Sequence, residues 1–306
     1  MKILMNTEQR LRAGWRILLQ CICFVILLII VQVIQKGAQE QPDLLIFTAV
    51  SGLYLFGGLG MCWVLGRWVD RRKFADFGFH LDREWWLDLG FGLFLGAFIL
   101  TAVFIIEWGA GWVKVTSIAQ TVFDGPFILV GCCVLLSLTA VGVIEELMFR
   151  GYQLRNLAEG INYKGKADLA VIAALVGTSI FFGIAHMGNQ NATLMSGVNV
   201  TLAGMLLGLG YVLTGELALP IGLHISWGFF EEFVYGFANS GEKALSWLIG
   251  SEVAGPEIWT GGEFGPEAGL LVTILIVLEA VMIFFWVKFR GRFRGVRREL
   301  AEYVKR

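Results

Sequence analysis

Eight apolar stretches, each about 20 residues long, dominate this chain. A helix needs about 20 apolar residues to cross the hydrocarbon core of a bilayer, and it satisfies its backbone polar groups internally. Apolar residues make up 57% of the chain and charged residues 16%, against about 25% charged in ordinary globular proteins. The sequence therefore predicts an all-α, polytopic membrane protein. The predicted spans cover 15–35, 44–66, 87–107, 125–148, 168–187, 193–213, 217–237 and 267–288.

Lys and Arg residues fall almost entirely on one side of these predicted spans. Of the 24 basic residues, all but Lys36, Lys114 and Lys243 lie in segments on the same side as the N terminus. Cytoplasmic segments of membrane proteins are enriched in Lys and Arg. We therefore expect both termini to be cytoplasmic, in a bacterial inner or plasma membrane. No small-residue cleavage pattern follows the first apolar stretch, so we expect it to be a retained span.

Glycine and cysteine patterns predict local packing. Gly92-x-x-x-Gly96 and Gly204-x-x-x-Gly208 are small-x-x-x-small patterns that favour close contact between helices. All five cysteines lie in apolar stretches without C-x-x-C spacing, and we expect them to be packing residues. The long segment 238–266 contains prolines and glycines, and we expect irregular or short helical structure there.

Two adjacent carboxylates lie at the end of the fourth predicted span. Glu146 and Arg150 are four residues apart and can pair on one helix face. Glu145 points about 100° away and lacks that partner. A carboxylate without a neutralising cation in a partly dry setting is suited to act as a general base. The alternative interpretation is that both carboxylates only mark the membrane surface.

Two of the three histidines lie within apolar spans. His186 follows Phe182 by four residues on the fifth span, and His224 lies on the seventh. His80 lies in a polar loop and is interpreted as a surface residue. A single histidine in a span is usually a packing residue. Two histidines and a carboxylate pair on three separate spans instead offer a base, a second proton carrier and a donor to an oxyanion.

These patterns resemble the motifs of the CAAX protease and bacteriocin-processing (CPBP) family of intramembrane glutamic endopeptidases, which includes type II CAAX prenyl endopeptidases. The E-E-x-x-x-R of the fourth span and the F-x-x-x-H of the fifth match the first two motifs. The third motif, usually H-x-x-x-N, begins at His224 but has Gly228 in place of Asn. The resemblance covers about 125–237 and implies a four-helix peptidase core there. The N-terminal helices in 1–124 precede it, and an outer loop, the last span and a basic tail follow in 238–306.

The resemblance implies hydrolysis of a peptide bond in a membrane-associated protein or peptide, without a cofactor. Glu145 and His186 would activate the attacking water. Glu146 would pair with Arg150 and brace the site. His224 would stabilise the tetrahedral oxyanion.

The departure at Gly228 leaves two possibilities. Either another donor serves the oxyanion, with Asn189, Asn199 and the Trp227 indole as candidates, or the chain is a weak or inactive member that acts as a membrane scaffold or immunity protein. Loss of one oxyanion donor typically lowers the rate by about 100- to 1000-fold.

Two other chemistries remain open. Glu145, His186 and His224 could together bind Zn²⁺, although the stronger zinc pattern H-E-x-x-H is absent from the sequence. A proton-coupled transporter could use Glu279 of the last span and the carboxylate pair, but the sequence has no recognisable internal repeat.

The expected partners are the lipid bilayer and a membrane-associated peptide or protein, and not nucleic acid. Hydropathy alone places Glu145 near the inner end of its span and His186 near the outer end of the next. For the two residues to share a site, the fourth helix must continue past the membrane, to about residue 158. The site is then expected near mid-membrane, towards the inner side.

Overall fold

A computed structural model describes residues 4–37 and 43–303, and in this part of the chain the fold is mainly helical. Two strands, Val113–Thr121 (β1) and Ser246–Val253 (β2), accompany the helices. The α-helices are α1 Ala13–Gly37, α2 Leu44–Val64, α3 Arg83–Gly109, α4 Phe127–Glu146, α5 Arg155–Ile161, α6 Ala167–His186, α7 Leu194–Thr214, α8 Ala218–Gly228, α9 Glu257–Thr260 and α10 Leu270–Phe289.

The membrane class predicted from the sequence is confirmed. Within the described residues, seven helices are long and apolar enough to cross a membrane. The remaining predicted span, 217–237, is shorter in the structure: it consists of α8 and a π-helical continuation, Phe229–Val234. Nearly every residue of α8 is buried. This helix is therefore an internal element, enclosed by the longer helices.

The fourth helix continues well beyond its apolar part, as predicted. A π-helical segment, Leu147–Leu154, follows α4 directly and leads into α5. Together they form one helix of 35 residues, Phe127–Ile161. The π-helix begins immediately after Glu146 and contains Arg150. π-helical turns widen a helix locally and are frequent at functional sites.

Glycines allow α3 and α8 to approach backbone to backbone. A Cβ atom at Gly92 would lie 2.3 Å from the Leu219 carbonyl oxygen, and one at Gly222 would lie 2.3 Å from the Leu89 carbonyl oxygen. Gly96 would meet the Ser226 hydroxyl at the same distance. The predicted role of the Gly92-x-x-x-Gly96 pattern in close packing is therefore confirmed.

Small residues also allow close contacts between α2 and α4 and between α6 and α7. A Cβ at Gly58 of α2 would overlap Ile144, the residue before the carboxylate pair. A Cβ at Gly183 of α6 would lie 2.0 Å from the Thr201 hydroxyl of α7. Gly204 in α7 leaves room for Ser179 and Phe182 of α6.

Segments predicted to share one side of the membrane contact each other through an ion cluster. Arg16 donates to Asp70 at 3.2 Å and to Glu159 at 2.9 Å. Arg10 and Arg72 also pair with Glu159. The cluster ties the N-terminal segment to the ends of α2 and α5. Of the basic residues assigned to this side, Lys2, Lys305 and Arg306 lie outside the described residues.

A two-stranded antiparallel sheet lies at the opposite end of the bundle. Its register pairs Val113 with Val253 and Thr121 with Ser246. The sequence predicted only irregular or short helical structure in 238–266, so β2 corrects that expectation. Each strand gains its partner from a segment far away along the chain, and local patterns do not reveal that pairing.

We expect Gly92→Ala to destabilise the protein by about 1–3 kcal/mol, because the new methyl group would overlap a backbone oxygen of α8. Gly90→Ala in the same helix is the matched control, since nothing lies within 4 Å of its Cβ position. Unfolding of the purified protein in detergent measures both. Equal stability of the two variants would contradict the backbone contact.

Candidate active site

A cavity of about 400 Å³ lies inside the helix bundle. Glu145, His186, His224 and Gly228 all line it. The rest of its inner wall is mainly apolar and is contributed by α4, α6, α7, α8 and α10. Residues of all three sequence motifs, from three separate helices, therefore line the same cavity.

Glu146 forms a fully buried ion pair behind the cavity wall. Its Oε1 accepts from Arg150 Nη1 at 2.6 Å and from His224 Nδ1 at 2.9 Å. Arg150 also donates from Nη2 to the Gly204 carbonyl at 3.0 Å. The Glu146 side chain is 0% exposed. This arrangement fixes the ring orientation of His224 and places a proton on its Nδ1, because an ionised carboxylate can only accept a hydrogen bond.

Glu145 faces the cavity rather than the ion pair. Its side chain is 18% exposed, and its Oε2 lies 3.9 Å from His224 Nε2. That separation is too long for a direct hydrogen bond. The 100° turn between neighbouring helix positions separates the two carboxylates, so that Glu146 is paired with Arg150 while Glu145 is open to a ligand.

His186, the last residue of α6, has a defined tautomer. Its Nδ1 lies 2.8 Å from the Phe182 carbonyl oxygen, and because a carbonyl can only accept, Nδ1 carries the proton. In a neutral imidazole, Nε2 then keeps its lone pair and can accept a proton. The sequence placed His186 and Glu145 at opposite ends of their spans, and both line this cavity.

Phe182 packs between the charged groups of the site. The Arg150 guanidinium lies 4.6 Å from its ring centroid, and the His186 ring centroid lies 4.4 Å away. The His224 ring meets it edge-on at 6.5 Å. Phe182 thus supports both imidazoles and the guanidinium.

Gly228 lies one helical turn after His224 and leaves a gap in the cavity wall. A Cβ at this position would lie 3.2 Å from Asn239 Nδ2. Asn239 lines the same cavity, and sequence reasoning missed it. It follows the last predicted core helix, and no spacing pattern connects it to position 228.

The cavity extends towards the end of the helix bundle opposite the ion cluster. Its lining there includes Asn189, Ser240, Glu242 and Glu267, which lie in connections between helices. Glu145 lies at the middle of its 35-residue helix. The expectation that the site lies near mid-membrane, towards the inner side, stays a prediction. The helix extension beyond residue 150 places Glu145 in the middle of the fourth helix, and the cavity continues from there towards the end of the bundle opposite the ion cluster.

Two structural observations bear on the alternative chemistries, metal binding and proton transport. Among the described residues, no three His, Cys, Asp or Glu side chains come close enough together to hold a metal ion. Glu279 is fully buried in α10, is absent from the cavity lining, and its carboxylate has no hydrogen-bond partner within the described part of the chain. All five cysteines are free; Cys62 is buried, as expected of a packing residue, whereas Cys132 is exposed.

The fold and cavity define a polytopic membrane protein with a carboxylate–histidine site inside its helix bundle. Residues 128–230 match the family model described as type II CAAX prenyl endopeptidase Rce1-like. This segment is therefore similar to the Rce1-like family, which is consistent with the CPBP family. No curated protein and no solved structure matches the chain.

We expect Glu146→Gln to destabilise the protein by about 3–5 kcal/mol, because it leaves the buried Arg150 without its counter-charge. Glu145→Gln is the matched control, since Glu145 is partly exposed and has no ion pair with Arg150. Detergent unfolding compares the two. A larger loss of stability for Glu145→Gln would show that the bracing role is assigned to the wrong carboxylate.

Proposed function

We propose that this protein is an intramembrane endopeptidase that uses side-chain-activated water. The observation that carries the proposal is the meeting of Glu145, His186 and His224 in one cavity, with the Glu146–Arg150 pair fixed behind them. The match of this segment to a protease family model supports the same reaction class.

In the proposed mechanism, a water molecule is held between Glu145 and His186 Nε2. Glu145, the general base, removes one proton as the water oxygen attacks the carbonyl carbon of the scissile peptide bond. His224, in its imidazolium form with a proton on each ring nitrogen, donates from Nε2 to the oxyanion that forms. The C–N bond then breaks, and the leaving nitrogen takes up the proton that the base had removed.

Glu146 and Arg150 act on His224 rather than on the substrate. Glu146 accepts a hydrogen bond from the Nδ1–H group of His224, and this contact directs Nε2 into the cavity. Arg150 neutralises Glu146, so that this carboxylate remains ionised in a buried position. Removing either residue would misdirect His224.

The proposed substrate is a membrane-associated peptide or protein. The deep part of the cavity is apolar and suits an apolar side chain or a covalently attached lipid chain. Because the cavity extends to the face opposite the basic segments, the substrate would approach from that face, which is the outer face if both termini are cytoplasmic.

We expect Glu145→Ala to lower kcat by about 10²- to 10⁴-fold, the usual contribution of a general base. The measurement uses the purified protein and a panel of fluorogenic peptides, with and without a prenyl group. A zinc chelator is expected to leave the wild-type rate unchanged. Equal rates for wild type and Glu145→Ala on every peptide would reject the peptidase. Loss of activity in the chelator would instead indicate a metal mechanism.

The direction of access has its own test. We expect a cysteine at position 240, at the cavity mouth, to react with a membrane-impermeant maleimide added to intact cells. A cysteine replacing the exposed Thr7, on the face of the ion cluster, is expected to react only after the cells are opened. The reverse pattern would place the cavity mouth on the cytoplasmic face.

A catalytically weak or inactive scaffold or immunity protein is the second candidate. The observation that favours it is the absence of a side chain at Gly228, next to the proposed oxyanion position. The Glu145→Ala comparison separates this candidate from the peptidase.

A further inference from the structure

The gap at Gly228 is filled by a side chain from elsewhere in the chain. Asn239 lies after α8 and its π-helical continuation, in the connection that leads to β2. Its Nδ2 lies 3.2 Å from the position that a Cβ at Gly228 would occupy. Leu138 of α4 lies at the same distance from that position. A carboxamide therefore stands where a side chain of residue 228 would begin.

The position of Asn239 is fixed mainly by its backbone. A pair of hydrogen bonds joins it to Glu242, N–H to carbonyl at 2.9 and 3.0 Å. Its side chain lies near the Glu232 carboxylate, one helical turn beyond Gly228. A primary amide has two N–H donors, so that one can face Glu232 while the other faces a ligand in the cavity.

His224 is the neighbouring donor on the same helix face. Positions 224 and 228 are one turn apart, so their side chains project next to each other. His224, Gly228 and Asn239 all line the cavity with Glu145. A carbonyl oxygen seated opposite Glu145 would meet the imidazole of His224 and the amide of Asn239 together.

The other candidate amides near the cavity do not lie at the position that Gly228 leaves open. Asn199 donates to the Gly269 carbonyl at 2.9 Å and accepts from Thr273 at 2.8 Å, and Asn189 donates to the Ser240 carbonyl at 3.0 Å. The buried Trp227 indole Nε1 has no hydrogen-bond partner among the described residues. Of the three asparagine amides, only that of Asn239 lies within 4 Å of the position that a Cβ at Gly228 would occupy.

We propose that Asn239 is the second oxyanion donor of the site, acting beside His224 in the position that Gly228 leaves open. This inference rests on the proposed peptidase function. Gly228 and Asn239 then act together. The missing side chain at 228 makes room for the amide, and the neighbouring Glu232 carboxylate orients it. The peptide oxyanion is stabilised by two donors that come from different parts of the chain.

The kinetic test uses the fluorogenic peptide that wild type cleaves and Glu145→Ala leaves intact. Asn239→Ala is expected to lower kcat by about 100- to 1000-fold with little change in KM, as expected for a contact made in the transition state. Gly228→Asn combined with Asn239→Ala is expected to recover much of that loss, because it places an amide in the same space. Gln190→Ala removes an amide that lies outside the cavity and is expected to retain wild-type activity.

The outcomes separate this inference from the proposed function. Wild-type kcat in Asn239→Ala, with Glu145→Ala inactive, would overturn the role of Asn239 and leave the peptidase standing. A loss of activity that Gly228→Asn does not repair in any degree would also count against it. If Glu145→Ala equals wild type on every peptide, the peptidase and the role of Asn239 fail together.

The spatial part of the inference has a readout that does not need activity. Because a Cβ at 228 would press against the Asn239 amide, Gly228→Ala is expected to lower the thermal midpoint more in the wild-type background than in Asn239→Ala. Strictly additive shifts would show that the two positions do not touch.

Discussion

The rest of the site depends on the buried ion pair between Glu146 and Arg150. Two charges in an apolar interior are tolerated when they neutralise each other and gain further hydrogen bonds. Here the pair also binds the Gly204 carbonyl and His224 Nδ1. The same contacts that make the buried charge tolerable therefore fix the position of the histidine that faces the cavity. A change in the pair alters both stability and the direction of His224 Nε2.

Glycines determine how closely the helices around this pair can approach. Lipid supplies no hydrophobic drive for helix association, so close packing and backbone contact must hold the bundle together. Gly92 and Gly222 bring α3 against α8, while Gly204 makes space for Phe182. Gly228 is different, because its missing Cβ is matched by a polar side chain, the amide of Asn239. At that position the small residue opens part of the cavity instead of tightening a contact.

Some residues of the site are neighbours along the chain, whereas others come together only through the tertiary fold. Glu145, Glu146 and Arg150 are neighbours along one helix, and helical periodicity alone separates a paired carboxylate from an open one. His186 and Phe182 likewise follow from i,i+4 spacing. Asn239 is joined to Gly228 only by the return of the chain after α8, and the two-stranded sheet is made by segments that no local pattern connects. The position of the cavity along the bundle also depends on tertiary structure, because hydropathy alone does not show how far the fourth helix extends beyond its apolar part.

The sequence by itself determined the membrane class, most of the spans, the close-packing glycines and the cavity-lining residues Glu145, His186 and His224. These follow from apolar length and helical periodicity, which act locally and can be read from neighbouring residues. Only the tertiary structure decided that α8 is a short internal helix, that the cavity extends to the face opposite the basic segments, and that Asn239 occupies the space beside Gly228. Those features depend on which helices enclose which others and on where connecting segments fold back. In a closely packed bundle, such features are determined by contacts between distant parts of the chain.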